Sequence, residues 1–168
     1  NASVDQVVCG NNSSVVLNGS VTGGSSTGIW SSVGTGSFSP STTSLNATYF
    51  PSSADTAAGS VKLVLTSTAN GICPLARDTM KITITDIPTA NAGPATVSVC
   101  ANNPTVAVNG TIGGSTTTGK WTSSGTGNFS PSNIQLSTGY IPSTADVSAG
   151  QVKLYLTSTG NGSCLPAK

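Results

Sequence analysis

The side chains that could carry acid–base chemistry are Asp5, Asp55, Asp78, Asp86 and Asp146, with no Glu and no His among 168 residues. General acid–base catalysis draws on a His, or on two carboxylates whose pKa values are set apart. From residue 91 onward Asp146 is the sole carboxylate, which argues against an enzyme. Asp55 and Asp146 do recur at matched places, each closing a Ser-x-x-Asp string (Ser52 to Asp55, Ser143 to Asp146), with Pro51 or Pro142 before it and Gly59 or Gly150 after it. That pattern is a helix capping box with a glycine stop, so the two carboxylates are expected to bond orphan backbone N–H groups at the start of one short helical turn.

The four cysteines form two pairs of equal spacing, Cys9 with Cys73 and Cys100 with Cys164. No Cys-x-x-Cys and no His accompanies them, so a zinc site is not expected. One disulfide per pair is the economical reading, and closing a loop of that length would stabilise by about 4 kcal/mol on the chain-entropy account. The alternative is four buried thiols. Disulfides would imply an oxidising, extracellular compartment. Lys62 and Lys153 lie in the middle of strand-like runs and raise the idea of a Lys–Asn crosslink. The alternation turns both outward, where a lysine is simply solvated. The four Asn-Gly pairs at Asn18, Asn70, Asn109 and Asn161 read chiefly as turns.

The elements that hold these residues come from a repeat. Shifting the chain by 91 positions places Cys9 on Cys100, Trp30 on Trp121, Phe38 on Phe129, Tyr49 on Tyr140 and Cys73 on Cys164. The match runs without a gap from Val8 to Arg77. A period of this length is that of a small domain, not of a solenoid turn. The chain therefore reads as two tandem beads, residues 1–90 and 91–168. The segment from Asp86 to Pro94 joins them as a proline-stiffened linker that favours an extended array. Each bead shows short alternating runs bounded by turns, the pattern of an all-β sandwich. Expected strands are the approach to Cys9, Val15–Val21, Thr27–Ser32, Leu45–Phe50, Val61–Thr66 and Met80–Thr85, with Trp30 and Trp121 central in the core on middle strands. Lys168 aligns with Arg77, so the second bead lacks a counterpart of the strand through Thr85. The sequence thus reads as part of a longer array, or as one whose slot is filled by another segment.

Charged residues make up only 7% of the chain and the net charge is +1, while Ser and Thr fill 52 positions. Neither nucleic acid nor an anionic membrane surface would be drawn to such a chain, and no apolar run is long enough to span a bilayer. No cofactor is expected.

Three strings carry a resemblance. They are Trp30-Ser31-Ser32-Val33-Gly34-Thr35-Gly36-Ser37-Phe38-Ser39-Pro40, Ala47-Thr48-Tyr49-Phe50-Pro51-Ser52-Ser53-Ala54-Asp55, and Ala58-Gly59-Ser60-Val61-Lys62-Leu63. All three recur in the second bead. They resemble the repeats of giant surface adhesins of gliding Bacteroidota, the SprB-type gliding-motility adhesins. The resemblance implies immunoglobulin-like β-sandwich repeats, type IX secretion and a place at the cell surface, as a stalk for attachment or gliding. Partners would be neighbouring repeats of the same long chain, with surface polysaccharide or other cell-surface proteins beyond them. It also implies O-glycosylation at Asp-Thr followed by a small or apolar residue, which fits Thr56 and Thr79. The competing reading is a carbohydrate-binding or spacer module of a secreted polysaccharide-degrading enzyme. That role wants exposed aromatics, and only Tyr155 is expected to point outward.

Overall fold

The computed structural model describes residues 1–168, which divide into two units, Asn1–Asp86 and Ile87–Lys168. In the first unit the strands are β1 (Gln6–Cys9), β2 (Val15–Val16), β3 (Thr27–Ser32), β4 (Ser37–Ser39) and β5 (Thr48–Phe50). Helix α1 (Ser53–Ala58), β6 (Ser60–Thr68) and β7 (Arg77–Thr85) complete it. A four-stranded sheet runs in the order β1-β7-β6-β3, with β1 parallel to β7 and the other neighbours antiparallel. A three-stranded sheet, β2-β5-β4, faces it. This is a β-sandwich of immunoglobulin-like type, and α1 is the crossover from one sheet to the other.

Period-two patterning decides which side chains meet between the sheets. Val61, Leu63 and Leu65 of β6 are buried, as are Met80, Ile82 and Ile84 of β7, while Lys62 and Lys81 stand exposed between them. These residues pack with Val8, Val15, Leu17, Trp30, Ala47 and Tyr49 into one core. Trp30 is central, but β3 is the edge strand of its sheet and not a middle one. The ring is nonetheless only 1% exposed because the segment after β4 folds over that edge. Trp30 N–H donates to the Thr42 carbonyl at 2.8 Å and its indole N–H to the Leu45 carbonyl at 3.2 Å. An unpaired edge is thereby covered by a loop.

In the second unit the strands are β8 (Thr89–Asn91), β9 (Val106–Asn109), β10 (Thr111–Gly113), β11 (Thr118–Ser123), β12 (Asn128–Ser130) and β13 (Ser137–Ile141). Helix α2 (Thr144–Ala149) and β14 (Leu154–Thr159) follow. The sheet β12-β13-β9 repeats β4-β5-β2, and the pair β11-β14 repeats β3-β6. Trp121 takes the place of Trp30, with its N–H on the Asn133 carbonyl at 2.7 Å and its indole N–H on the Leu136 carbonyl at 3.2 Å.

Two further expectations change. The stretch read as a linker contains β8, which pairs antiparallel with β10, so Thr89–Asn91 is an element of the second unit. The within-bead disulfides are also not formed: Cys73 and Cys100 carry free, exposed thiols, while Cys9 and Cys164 are disulfide-bonded. The strand topology gives the reason. Cys9 sits beside Thr85 at the end of β7, whereas Cys73 lies in the turn that precedes Arg77 at its start. A nine-residue strand spans about 27 Å between its first and last residues at ~3.3 Å per step. A disulfide requires Cα atoms within about 7 Å. The two cysteines of this bead occupy opposite poles, and their even spacing in sequence reflects the repeat, not a bond.

Candidate functional site

The polar groups that converge most closely are those around Asp55 and its copy Asp146. Ser52 caps α1: its hydroxyl accepts from Asp55 N–H at 3.1 Å, and the Asp55 carboxylate accepts from Ser52 N–H at 3.0 Å. Gly59 ends the helix in the left-handed region at φ 69°. Ser143, Asp146 and Gly150 do the same for α2. The capping box read from the sequence is thus present in both units, over helices of six residues.

The carboxylates do more than cap. Asp55 is 4% exposed and also accepts from the Tyr49 hydroxyl at 2.8 Å and from Thr35 N–H at 3.1 Å. The Tyr49 oxygen in turn accepts from Gly36 N–H at 3.1 Å and meets the Ser32 hydroxyl at 2.9 Å. A strand, a helix and the loop between β3 and β4 are thereby joined at one tyrosine–aspartate pair. In the second unit Asp146 accepts from the Tyr140 hydroxyl at 2.7 Å and from the N–H groups of Thr126, Gly127 and Ser143 at 3.0, 2.9 and 3.1 Å.

This geometry explains the Gly-Thr-Gly of the repeated motif. A Cβ on Gly34 would collide with the Asp55 carboxylate, and one on Gly36 with the Tyr49 ring and the Phe50 carbonyl. Gly125 and Gly127 stand in the same relation to Asp146 and Tyr140. Neither pair adopts a positive φ, so the glycines are required for close approach and not for an unusual backbone. The intervening threonines close the loop, with hydroxyl pairs Thr35–Ser52 and Thr126–Ser143 both at 2.7 Å.

The electrostatics follow from the bonding. Burial pushes the Asp55 carboxyl upward, but donation from Ser52 N–H, Tyr49 and Thr35 N–H outweighs it and the pKa is lowered. For Asp146 the Tyr140 hydroxyl and Thr126 N–H lead, and the value falls to about 2. Burial, opposed by the Ser32 contact and helped by the neighbouring Asp55, raises Tyr49; Tyr140 is raised in the same way. Each carboxylate is held ionised by donors from the protein, three at Asp55 and four at Asp146. Hydrogen bonds of this kind favour the charged form and tie the carboxylate into the fold.

The other singled-out residues lie apart from this hub. Thr79 is exposed on β7, next to Asp78, whose carboxylate accepts from Ala2 N–H at 2.8 Å. Thr56 is half-buried within α1, and its hydroxyl donates to the Ser52 carbonyl at 3.0 Å. Lys62 and Lys153 are exposed. Tyr155 is half-buried, with the Lys168 ammonium 4.2 Å from its ring centroid. An open depression of about 500 Å³ lies over β11 and β12, lined in part by Lys120, Trp121 and Phe129, but Trp121 is 1% exposed and offers no ring face there. No group of three or more His, Cys, Asp or Glu side chains gathers where it could hold a metal ion. No helix is long and apolar enough to cross a membrane.

No family model matches the chain, and no curated protein sequence matches it. Among solved structures it is similar to a protocadherin gammaB7 EC3-6 cis-dimer structure (14% identity, TM-score 0.38) and to protocadherin gamma B2 extracellular cadherin domains 3-6 (12%, 0.42). It is similar also to mouse cadherin-23 EC22-24 (14%, 0.43). These alignments cover 97%, 98% and 99% of this chain and 43%, 43% and 59% of those chains. At such identities and scores they carry no argument about function.

Proposed function

We propose that the two units are structural repeats of an extracellular array, with a stalk or adhesion role and no enzymatic one. The observation that supports this most directly is where the repeated residues are spent. Trp30 and Trp121, Tyr49 and Tyr140, Asp55 and Asp146, and the glycines of both Gly-Thr-Gly loops all serve the core or the hub. What recurs is the means of folding. A repeat kept for a ligand would recur in exposed, convergent groups instead.

The finer reading rests on the resemblance of the motif strings to SprB-type gliding-motility adhesins. On that reading the array is exported by the type IX system, stands at the cell surface and serves attachment or gliding, with neighbouring repeats as its first partners. Thr79, exposed beside Asp78, is the better placed of the two candidate O-glycosylation positions. The oxidised cysteines fit an extracellular setting.

The alternative, a carbohydrate-binding or spacer module of a secreted polysaccharide-degrading enzyme, is separated by affinity electrophoresis against soluble plant and algal polysaccharides. The stalk reading expects unretarded migration on all of them. Retardation that persists in Trp121→Phe but is lost in Tyr155→Ala would replace it with sugar binding at β14.

A further inference from the structure

Four Asn-Gly pairs stand in the chain, and the fold treats them in two ways. At Asn18-Gly19 and Asn109-Gly110 the glycine is needed for close approach, since a Cβ would strike the Trp30 or Trp121 ring. Both glycine N–H groups are tied, Gly19 to the Leu45 carbonyl at 3.0 Å and Gly110 to the Leu136 carbonyl at 2.9 Å. At Asn70-Gly71 and Asn161-Gly162 the glycine instead turns the chain, with φ of 59° and 58° and open space where a Cβ would stand. Those turns close through Cys73 N–H on the Asn70 carbonyl and Cys164 N–H on the Asn161 carbonyl. Gly71 and Gly162 are exposed, and their N–H groups take no part in that bonding. Each asparagine folds back by its amide nitrogen alone. Asn70 Nδ2 donates to the Ser67 hydroxyl at 3.0 Å and its carbonyl at 3.5 Å, and Asn161 Nδ2 to the Ser158 carbonyl at 3.1 Å. Asn161 Oδ1 is buried without a partner, which eases the release of that side chain.

We propose that Asn70 and Asn161 are sites of self-modification, at which each turn converts its own asparagine to aspartate and isoaspartate with water as the sole co-reactant. The nitrogen of the following glycine gives up its proton and attacks Cγ. The Cγ–Nδ2 bond breaks, and Nδ2 leaves with a proton as ammonia, so that a cyclic imide joins the two residues. Water then adds to one of the two imide carbonyls and opens the ring. Nothing is oxidised or reduced. In the turns this reaction waits for one side-chain amide to let go of Ser67 or Ser158. At Asn18 and Asn109 it waits for a main-chain bond beside a buried tryptophan to break, and packed segments open at far greater cost than exposed turns. Two conversions add two negative charges and take the formal net charge from +1 to −1. Each also sets an acceptor in place of a donor beside Ser67 or Ser158, whose hydroxyls accept from Ala76 N–H and Ala167 N–H. The inference rests on the geometry of the two turns and stands whether or not the units form a stalk.

The test holds the whole chain in warm, mildly alkaline heavy-oxygen water and follows the four pairs by peptide mapping over time, with circular dichroism showing that the fold persists. The same chain in denaturant is the reference, where all four pairs share the same following glycine and convert at similar rates. In the folded chain Asn70 and Asn161 are expected to take up the oxygen label at least about tenfold faster than Asn18 and Asn109, the factor that one hydrogen bond adds to a barrier. Isoaspartate is expected among the products at both turns. Label entering Asn18 or Asn109 as fast as Asn70 overturns the proposal. So does a folded chain whose Asn70 and Asn161 stay intact for the time in which the denatured chain converts all four. Aspartate without isoaspartate also overturns it, because direct hydrolysis by water forms no ring.

Discussion

The two units carry the same motifs and the same hub, yet their cores differ greatly. Thirteen buried residues form one cluster in the first, and in the second the cluster comprises Val108, Trp121 and Leu156. The helix capping boxes, the close-approach glycines and the tryptophan edge bonds recur in both units, so they are assembled by contacts within each half of the motif, although Asp146 gains a Gly127 N–H that Asp55 lacks. The core is different because it depends on β7, whose Met80, Ile82 and Ile84 close the sandwich from one side. The polar hub thus recurs in both units, while the larger apolar cluster is the one to which β7 contributes.

The largest test of that contrast is removal of the indoles. Trp30→Ala is expected to cost the first unit about 3–5 kcal/mol, and Trp121→Ala to cost the second unit less, since fewer buried neighbours lose contacts. Segment-resolved hydrogen exchange measures each unit separately; equal losses would mean that the second core is as closed as the first. Next come the close-approach glycines. Gly34→Ala and Gly125→Ala each force a methyl group into a carboxylate, an overpacking cost of about 1–3 kcal/mol, expected to be equal in the two units because the hub is shared. Thermal melts followed by circular dichroism decide this.

Tyr49→Phe and Tyr140→Phe remove a hydroxyl donor from a carboxylate, a loss on the order of 1.5–3 kcal/mol at the buried Asp55. Here the comparison sharpens, because Asp146 keeps three backbone donors where Asp55 keeps two. The pH dependence has a definite sign. A carboxylate whose pKa is lowered on folding adds stability above its unfolded value near 3.8, and that stability is lost as pH falls toward about 2 for Asp146. Carbon-detected NMR titration should show the Asp146 midpoint rising in Tyr140→Phe; an unmoved midpoint would remove the tyrosine from the account. The smallest effect is at the caps. Ser52→Ala and Ser143→Ala are each expected to cost about 1 kcal/mol, again alike in both units, by chemical denaturation.

Much of this was legible from residue order. The 91-residue shift, the strand at Thr27–Ser32, the alternation through Met80, Ile82 and Ile84, and both capping boxes stand in the structure where their patterns place them. Local chemistry fixes these features, so local strings reveal them. The tyrosine–aspartate hub was not seen, because it joins a strand, a loop and a helix that only the folded chain brings together. The matched pairs Tyr49–Asp55 and Tyr140–Asp146, each with a Gly-Thr-Gly some twenty residues earlier, were the signal that could have found it. The disulfide expectation failed for a related reason: spacing counts residues along the chain and is blind to which pole of a strand each one reaches. Trp30 on an edge strand was hidden too, since a loop supplies burial that sequence alternation assigns to a central strand.

The parallel pairing of β1 with β7 has a mechanical consequence. Gln6–Cys9 and Ile82–Thr85 run in the same direction in register, with Asn1 before the start of β1 and Asp86 just beyond the end of β7. Tension applied to Asn1 and Asp86 therefore slides the two strands along each other and loads the backbone bonds of all four residue pairs at once. An antiparallel hairpin pulled from its open end instead yields one bond at a time. Forced unfolding is governed by the rate of the first opening step, and in this unit that step requires the simultaneous rupture of a whole strand pair.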